Sequence, residues 1–315
     1  MYFNILYDNI TVRCYIMTDS ELKLLVKQTE TLELNDEEKS KAKGSFIDLP
    51  SGFTHYEMKG SGEAVVLCHG YATPYYIYDK IFEKLVAEGY KVIRYDLLGR
   101  GLSERTDAVY DPAFFAKQLD ELTKALLGDE KFYLFGTSMG GSITTAFCKL
   151  YPGRVKKLVL LAPAGMDTFI PPFYMKLATI PLIGKLIFAI VAKKSLLTKC
   201  ASELKYSVDE KDYYMRSFAE SSKYKGFIRC TLSSLKNTIL NTSETVKGYI
   251  SVNEQKLPLL VIWGTEDKTM PYYQHKRLLE VCPDVELVTF EGSGHIFLFD
   301  EGDRTNEIIL PFLKK

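Results

Sequence analysis

The sequence has no surplus of either charge. Forty lysines and arginines face 40 aspartates and glutamates, a formal net charge of zero at pH 7. No global field draws the chain to nucleic acid or to an anionic membrane, so a small-molecule partner is expected. Cysteine is sparse: Cys14, Cys68, Cys148, Cys200, Cys230 and Cys282 include no CxxC pair and no Cys/His grouping at zinc-binding spacing. That pattern argues for a reducing, cytoplasmic compartment and against a structural zinc. Histidine is scarcer still. His55 and His69 fall early and His275 and His295 late, so a metal site would need distant carboxylates, and no metal or organic cofactor is expected. The opening "MYFNILYDNITVRCYIM" lacks the basic stretch, apolar core and small-residue cleavage site of a secretory signal. Long apolar runs are missing too. The greasiest stretch, "FIPPFYMKLATIPLIGKLIFAIVAKK", is broken by Pro171, Pro172, Lys176, Pro181 and Lys185. A membrane-spanning helix needs about 20 nearly uninterrupted apolar residues, so no span is expected.

What is present is core-forming material. Of 315 residues, 46% are hydrophobic and 13% aromatic, enough for one large domain with an insertion or for two domains. The runs "AVVLCHG" (64–70), "KVIRYDLLG" (91–99), "KFYLFG" (131–136), "VKKLVLLAP" (155–163), "LPLLVIWG" (257–264) and "VELVTFEG" (285–292) read as buried strands ending at turn residues. Helical patterns such as "YIYDKIFEKLVAEGY" and "DPAFFAKQLDELTKALLG" lie between them. That alternation predicts right-handed crossovers and a mostly parallel, doubly wound α/β sheet. The alternation stops between Pro163 and Leu257, where mainly helical, apolar sequence intervenes. Residues 18–44 are charged and weakly amphipathic, an N-terminal extension with no chemistry of its own.

The stretch "GTSMGGS" (136–142) hands the strand "FYLF" over to the helix "ITTAFCKL". Ligands bind past the carboxyl ends of strands in such sheets, and Ser138 stands there among small neighbours, beside a helix N-terminus that favours negative charge. Gly-x-Ser-x-Gly alone arises by chance in roughly one chain in ten of this length, so further residues must carry the argument. A serine nucleophile needs a base to take its proton and a carboxylate to orient that base. Asp267, in "TEDKTMP", and His295, in "EGSGHIF", follow the last two strands at corresponding points, in the order Ser138, Asp267, His295.

With these residues in place, the chain resembles an α/β-hydrolase of the lid-bearing serine esterase and lipase-like group. "HGYA" is similar to that family's oxyanion loop, "DLLGRGLS" to its glycine-rich turn, "GTSMGG" to its nucleophile elbow, and "GTEDKTMP" with "GSGH" to its acid and base turns. The resemblance implies a hydrolase core over 46–163 and 257–315, a helical cap or lid over 164–256 inserted after the sixth strand, and an extension over 1–45 that has no counterpart. It implies a catalytic triad of Ser138, His295 and Asp267, and an oxyanion hole made by the backbone N–H groups of Tyr71 and Met139.

Rival assignments stay open at this point. His69 could be the base rather than an orienting group under the oxyanion loop. Cys68 could be a thiol nucleophile rather than core. Glu266 or Asp167 could supply the acid. Asp96, Gly99, Arg100, Gly101 and Ser103 are expected to close a tight turn through local hydrogen bonds. The cap offers Phe169, Phe173 and Phe188 as walls of an acyl pocket, with Tyr75 near the oxyanion loop, although apolar cap residues also pack simply as core. The expected activity is hydrolysis of a carboxylic ester with an apolar acyl group, as in a carboxylesterase or monoacylglycerol lipase. An amidase or aminopeptidase, a carbon–carbon bond hydrolase, and a ligand-binding protein with little turnover are the alternatives.

Overall fold

Residues 111–128 carry their own start and stop signals. The Asp111 carboxylate accepts from the Phe114 N–H at 2.8 Å, Pro112 sits in the first turn where no N–H is needed, and Gly128 ends the helix Pro112–Leu127 at φ 58°. The same economy recurs along the chain in a computed structural model that describes residues 4–7, 10–13, 29–180, 184 and 208–315. Ten strands follow in chain order: β1 Asn4–Tyr7, β2 Ile10–Arg13, β3 Ser45–Ile47, β4 Thr54–Lys59, β5 Ala64–Cys68, β6 Lys91–Tyr95, β7 Phe132–Thr137, β8 Val155–Leu161, β9 Leu259–Gly264 and β10 Glu286–Phe290.

Eight of them form one sheet in the order β10-β9-β8-β7-β5-β6-β4-β3. The six expected strands are its parallel part, and β5, β7 and β9 are buried along their whole length. β4 and β3 extend the sheet antiparallel beyond β6. Neither was apparent in the sequence, because "THYEMK" runs from a buried start to an exposed, charged end and shows no apolar run. In the extension, β1 pairs with β2, and helix is described only at Asp36–Ser40; residues 18–28 of the expected amphipathic stretch lie outside the described residues.

Strand order reverses around β5, with β6 on one side and β7 on the other, so the crevice at the carboxyl ends of β5 and β7 is the topological switch point. The helical insertion follows β8, the sixth strand of this sheet. Its described helices are Phe173–Leu177, Val208–Ser222, Phe227–Ser234 and Thr242–Glu254, with a π-helical turn at Leu235–Ile239. The last helix packs on Met139–Leu150, the helix that follows Ser138. Thr245 Oγ1 and Tyr249 Oη donate to the carbonyls of Gly165 and Ala164, pinning the point where the insertion leaves the sheet.

Under the crevice lies a buried ion pair. His55 on β4 donates from Nδ1 to Asp96 Oδ2 at 2.8 Å and from Nε2 to the Lys43 carbonyl at 2.6 Å. With acceptors on both ring nitrogens, the charged imidazolium is the form that satisfies the site. Burial opposes that charge, but Asp96 outweighs it and holds His55 above its ordinary value of 6.5. Burial likewise opposes the Asp96 charge, yet His55 and the Leu102 N–H hold the carboxyl at about 2, below its ordinary 3.8. The other Asp96 oxygen accepts from the Tyr75 N–H at 3.1 Å.

The signs of these shifts set a pH window for stability. The raised His55 contributes fully below its unfolded value of 6.5 and is lost as pH rises through its folded value, whereas the lowered Asp96 contributes above 3.8 and is lost as pH falls toward 2. Denaturant unfolding across pH should therefore show the pair at full strength between those limits. His55→Leu, which leaves the Asp96 charge buried and unpaired, should lose roughly 3–5 kcal/mol. A loss under about 1 kcal/mol would show that the pair carries little of the fold.

Candidate active site

Ser138 follows β7 and stands before the helix Met139–Leu150 with φ 52° and ψ −121°, a conformation strained for a residue with a side chain. Neighbouring backbone enforces it. The Ser138 N–H donates to the Leu161 carbonyl at the end of β8 at 3.0 Å, and its own carbonyl accepts from Gly141 at 2.9 Å and Ala164 at 2.8 Å. Gly140 is required for a different reason: a Cβ there would stand 2.4 Å from the Cys68 carbonyl oxygen and 2.8 Å from that of His69. Only glycine lets the helix come this close to the end of β5.

The turns after β9 and β10 converge on the same hydroxyl. His295 Nε2 lies 2.9 Å from Ser138 Oγ, and His295 Nδ1 lies 2.7 Å from Asp267 Oδ2. The second Asp267 oxygen accepts the N–H groups of Thr269 and Met270, each at 2.8 Å. Trp263, the one tryptophan of the chain, is fully buried and donates from Nε1 to the Met270 carbonyl at 2.9 Å. With its carboxylate held in this way, Asp267 favours the imidazole tautomer protonated at Nδ1, whose Nε2 lone pair faces the Ser138 hydroxyl.

The rival residues are engaged elsewhere. His69 is buried, donates from Nδ1 to the Gly70 carbonyl at 2.9 Å and accepts the Leu97 N–H at Nε2, also at 2.9 Å. Burial depresses it to about 4, so it stays neutral and has no free nitrogen to act as a base. Burial pushes the Cys68 thiol up to about 12, which makes it a poor nucleophile. Asp167 is paired with Arg277 at 2.8 Å. His275 donates to the Tyr272 carbonyl and stacks on the Tyr272 ring. Asp267, not the adjacent Glu266, faces His295.

The expected oxyanion donors are the N–H groups of Met139, which directly follows Ser138, and of Tyr71. The Met139 N–H begins the helix and has no intrahelical acceptor. The Tyr71 N–H belongs to the Gly70–Tyr71 peptide, whose carbonyl His69 holds. That loop reaches Ser138 closely, since a Cβ on Gly70 would lie 3.1 Å from Ser138 Cβ.

The expected pocket residues are placed variously. Phe169 is buried, but Phe173 is 73% and its neighbour Ile170 75% exposed. Tyr75 stacks on His55 at 5.1 Å and lies under the Arg94 guanidinium at 4.5 Å. Phe188 lies outside the described residues. Among the described residues no cluster of three or more His, Cys, Asp or Glu is placed to hold a metal ion.

In the glycine-rich turn, Asp96 and Ser103 close the loop locally, with the Ser103 hydroxyl donating to the Asp96 carbonyl at 2.6 Å. Arg100 closes it too with its backbone, its N–H donating to the Leu97 carbonyl at 2.9 Å and its carbonyl accepting from the Ser103 N–H at 3.0 Å. Its side chain instead leaves the turn to donate to the Tyr71 carbonyl at 2.6 Å and to Ser234 Oγ at 2.8 Å, contacts 29 and 134 residues away that no local pattern signals.

Comparison with known proteins identifies the family. The family model described as the alpha/beta hydrolase fold matches residues 63–302, most of the chain. The chain belongs to that family. It is 28% identical over 298 residues to a 2-hydroxy-6-oxo-6-phenylhexa-2,4-dienoate hydrolase of Comamonas testosteroni, covering 90% of this chain and 99% of that one. It is also 28% identical over 284 residues to a 2-hydroxy-6-oxononadienedioate/2-hydroxy-6-oxononatrienedioate hydrolase of Dechloromonas aromatica (strain RCB), covering 82% and 90% of the two chains. An esterase from Exiguobacterium antarcticum shares the fold with a TM-score of 0.72 at 21% identity, over 86% of this chain and all of that one. Among the described residues no helix of this hydrolase-fold protein is long and apolar enough to cross a membrane.

If Asp267 orients His295, Asp267→Asn should lower kcat by a factor on the order of 10⁴, because the amide favours the wrong tautomer. Asp167→Asn should turn over normally. Steady-state kinetics on both variants decides the matter, and the reverse pattern would put the acid on the preceding strand.

Proposed function

We propose that the protein is a serine hydrolase that passes through an acyl-enzyme, with Ser138 as nucleophile, His295 as general base and acid, and Asp267 as its orienting carboxylate. The observation that carries this reading is the unbroken chain of hydrogen bonds, 2.9 Å from Ser138 to His295 and 2.7 Å from His295 to Asp267, ending on a serine held at φ 52°. In the first half-reaction Ser138 Oγ bonds to the substrate carbonyl carbon while its proton moves to His295 Nε2. The carbonyl oxygen becomes an oxyanion facing the N–H groups of Met139 and Tyr71. Collapse breaks the bond to the leaving group, which takes the proton from His295. Water then gives a proton to His295 and its oxygen to the acyl carbon, releasing the acid and restoring Ser138.

The leading substrate is a carboxylic ester with an apolar acyl part, on the grounds that this relay accelerates acyl transfer and that an apolar insertion follows β8. A second reading is favoured by the curated relatives, whose named substrates carry a ketone where the attack would fall. With such a substrate the leaving group is carbon, and the same groups would cleave a carbon–carbon bond. The substrate is taken to be a small molecule and the setting cytoplasmic, in keeping with four buried free cysteines among the described residues.

Two measurements test this. Ser138→Ala should abolish ester hydrolysis and fluorophosphonate labelling while leaving the melting curve in place; turnover within about tenfold of wild type would remove Ser138 from the mechanism. Wild type should also be offered p-nitrophenyl esters of increasing chain length beside 2-hydroxy-6-oxo-6-phenylhexa-2,4-dienoate. Each CH₂ that fits an apolar pocket should raise kcat/KM by up to roughly fourfold, corresponding to ~0.8 kcal/mol. A flat ester profile with efficient turnover of the dienoate would select the carbon–carbon reading. Phe173→Ala should leave the melting temperature unchanged, because its ring already faces solvent.

A further inference from the structure

Arg100 is fully buried, yet among the described residues no ion pair reaches it. Its Nε donates to the Tyr71 carbonyl at 2.6 Å and its Nη2 to Ser234 Oγ at 2.8 Å, while Nη1 is buried with no hydrogen-bond partner. Its guanidinium carbon lies 5.6 Å from the centre of the Tyr71 ring. Tyr71 is held at its other end as well, its phenol donating to the Thr231 carbonyl at 2.8 Å. Ser234 and Thr231 both lie on the cap helix Phe227–Ser234, and the π-helical turn Leu235–Ile239 begins directly after Ser234. Two consecutive peptides of the loop are thus fixed from beneath, Gly70–Tyr71 by His69 and Tyr71–Ala72 by Arg100.

An unpaired buried cation is costly, and a fold that needed only a rivet here could use a neutral side chain. We infer that Arg100 is a positioning residue for the oxyanion loop: it fixes the Tyr71 carbonyl, ties that loop to the cap helix at Ser234, and sets an uncompensated positive charge beside the peptide that receives the oxyanion. The inference rests on the serine hydrolase reading above and deepens it. A neutral ground-state carbonyl gains little from such a charge, whereas the tetrahedral oxyanion supplies the missing counter-charge. The benefit therefore falls on the transition state, and it appears in kcat more than in KM. The same contacts couple the cap to the chemistry, since displacement of Phe227–Ser234 would pull on both ends of Tyr71.

Full-length Arg100→Met and Arg100→Lys should be compared with wild type for kcat, KM, melting temperature and the affinity of an arylboronic acid, which forms an anionic tetrahedral adduct on a reactive serine. Arg100→Met should lower kcat by a factor on the order of 10–100 with KM moved less than about threefold, and boronate affinity should fall in parallel. Arg100→Lys, which keeps the charge without the fork, should recover part of both. A folded Arg100→Met with kcat and boronate affinity within about threefold of wild type overturns the inference, even if its melting temperature falls. Should Arg100→Met fail to fold, Ser234→Ala and Tyr71→Phe loosen the tie between loop and cap one contact at a time. Joint severalfold losses of kcat and boronate affinity are then expected, and wild-type values for both overturn it. Wild type that takes neither fluorophosphonate nor boronate at Ser138 would sink the serine hydrolase reading and this one with it; labelled wild type with indifferent variants sinks this one alone.

Discussion

A serine held in the left-handed region is the constraint on which the rest of this structure turns. At φ 52° Ser138 is strained, and the strain persists only because its N–H and carbonyl are claimed by Leu161, Gly141 and Ala164. Those partners come from the end of β8, from the first turn of the helix Met139–Leu150 and from the first residues of the insertion, so the turn, the central sheet and the root of the insertion are one construction. Remove the carbonyl of Leu161 or the amide of Ala164 from its place, and the backbone could relax toward an ordinary turn. The hydroxyl would then drop away from His295. The close approach at Gly140 has the same logic, because helix and strand can meet there only if no side chain stands between them.

Around this turn, the protein sorts its polar groups by the direction in which burial moves them. His69 is driven neutral and becomes a fixed donor and acceptor, while His55, facing Asp96, is driven the other way and stays charged. Two imidazoles on the strands that flank β6, one on β4 and one just past β5, thus have opposite protonation, and the difference comes from one carboxylate. Among the described residues Arg100 has no such carboxylate; burial lowers its pKa but leaves it a cation. The outcome is a set of buried groups around the Gly70–Tyr71 loop in which charge is either paired or held still.

The sequence made much of this legible, and the boundary of legibility has physical causes. Six strands were readable because each is written largely as an apolar run, most plainly in β5, β7 and β9, which are buried along their whole length. Ser138, Asp267 and His295 were readable because each follows such a run. β4 escaped notice because it is only half-buried and carries His55, Glu57 and Lys59 among its residues. The His55–Asp96 pair joins strands 41 residues apart, and Arg100 meets Ser234 across 134 residues, distances over which no periodicity speaks. Arg100 was read as part of a tight turn, and its backbone does help to close it; what escaped notice is that its side chain points away from the turn. Phe173 shows the opposite failure, an apolar residue in an apolar stretch that nevertheless faces solvent.

The free thiols of Cys68, Cys148, Cys230 and Cys282 are all buried, one at the end of β5, one in the helix after Ser138, one in the cap helix and one after the helix His275–Val281. None of the four can meet an alkylating reagent while the surrounding structure is closed. The rate at which each becomes modified in native buffer is therefore a clock for local opening, and the four clocks stand in four parts of the molecule. Cys230 times the helical insertion and Cys68 the central sheet. A chain carrying such built-in reporters allows opening of its insertion to be separated from breathing of its core without adding a probe.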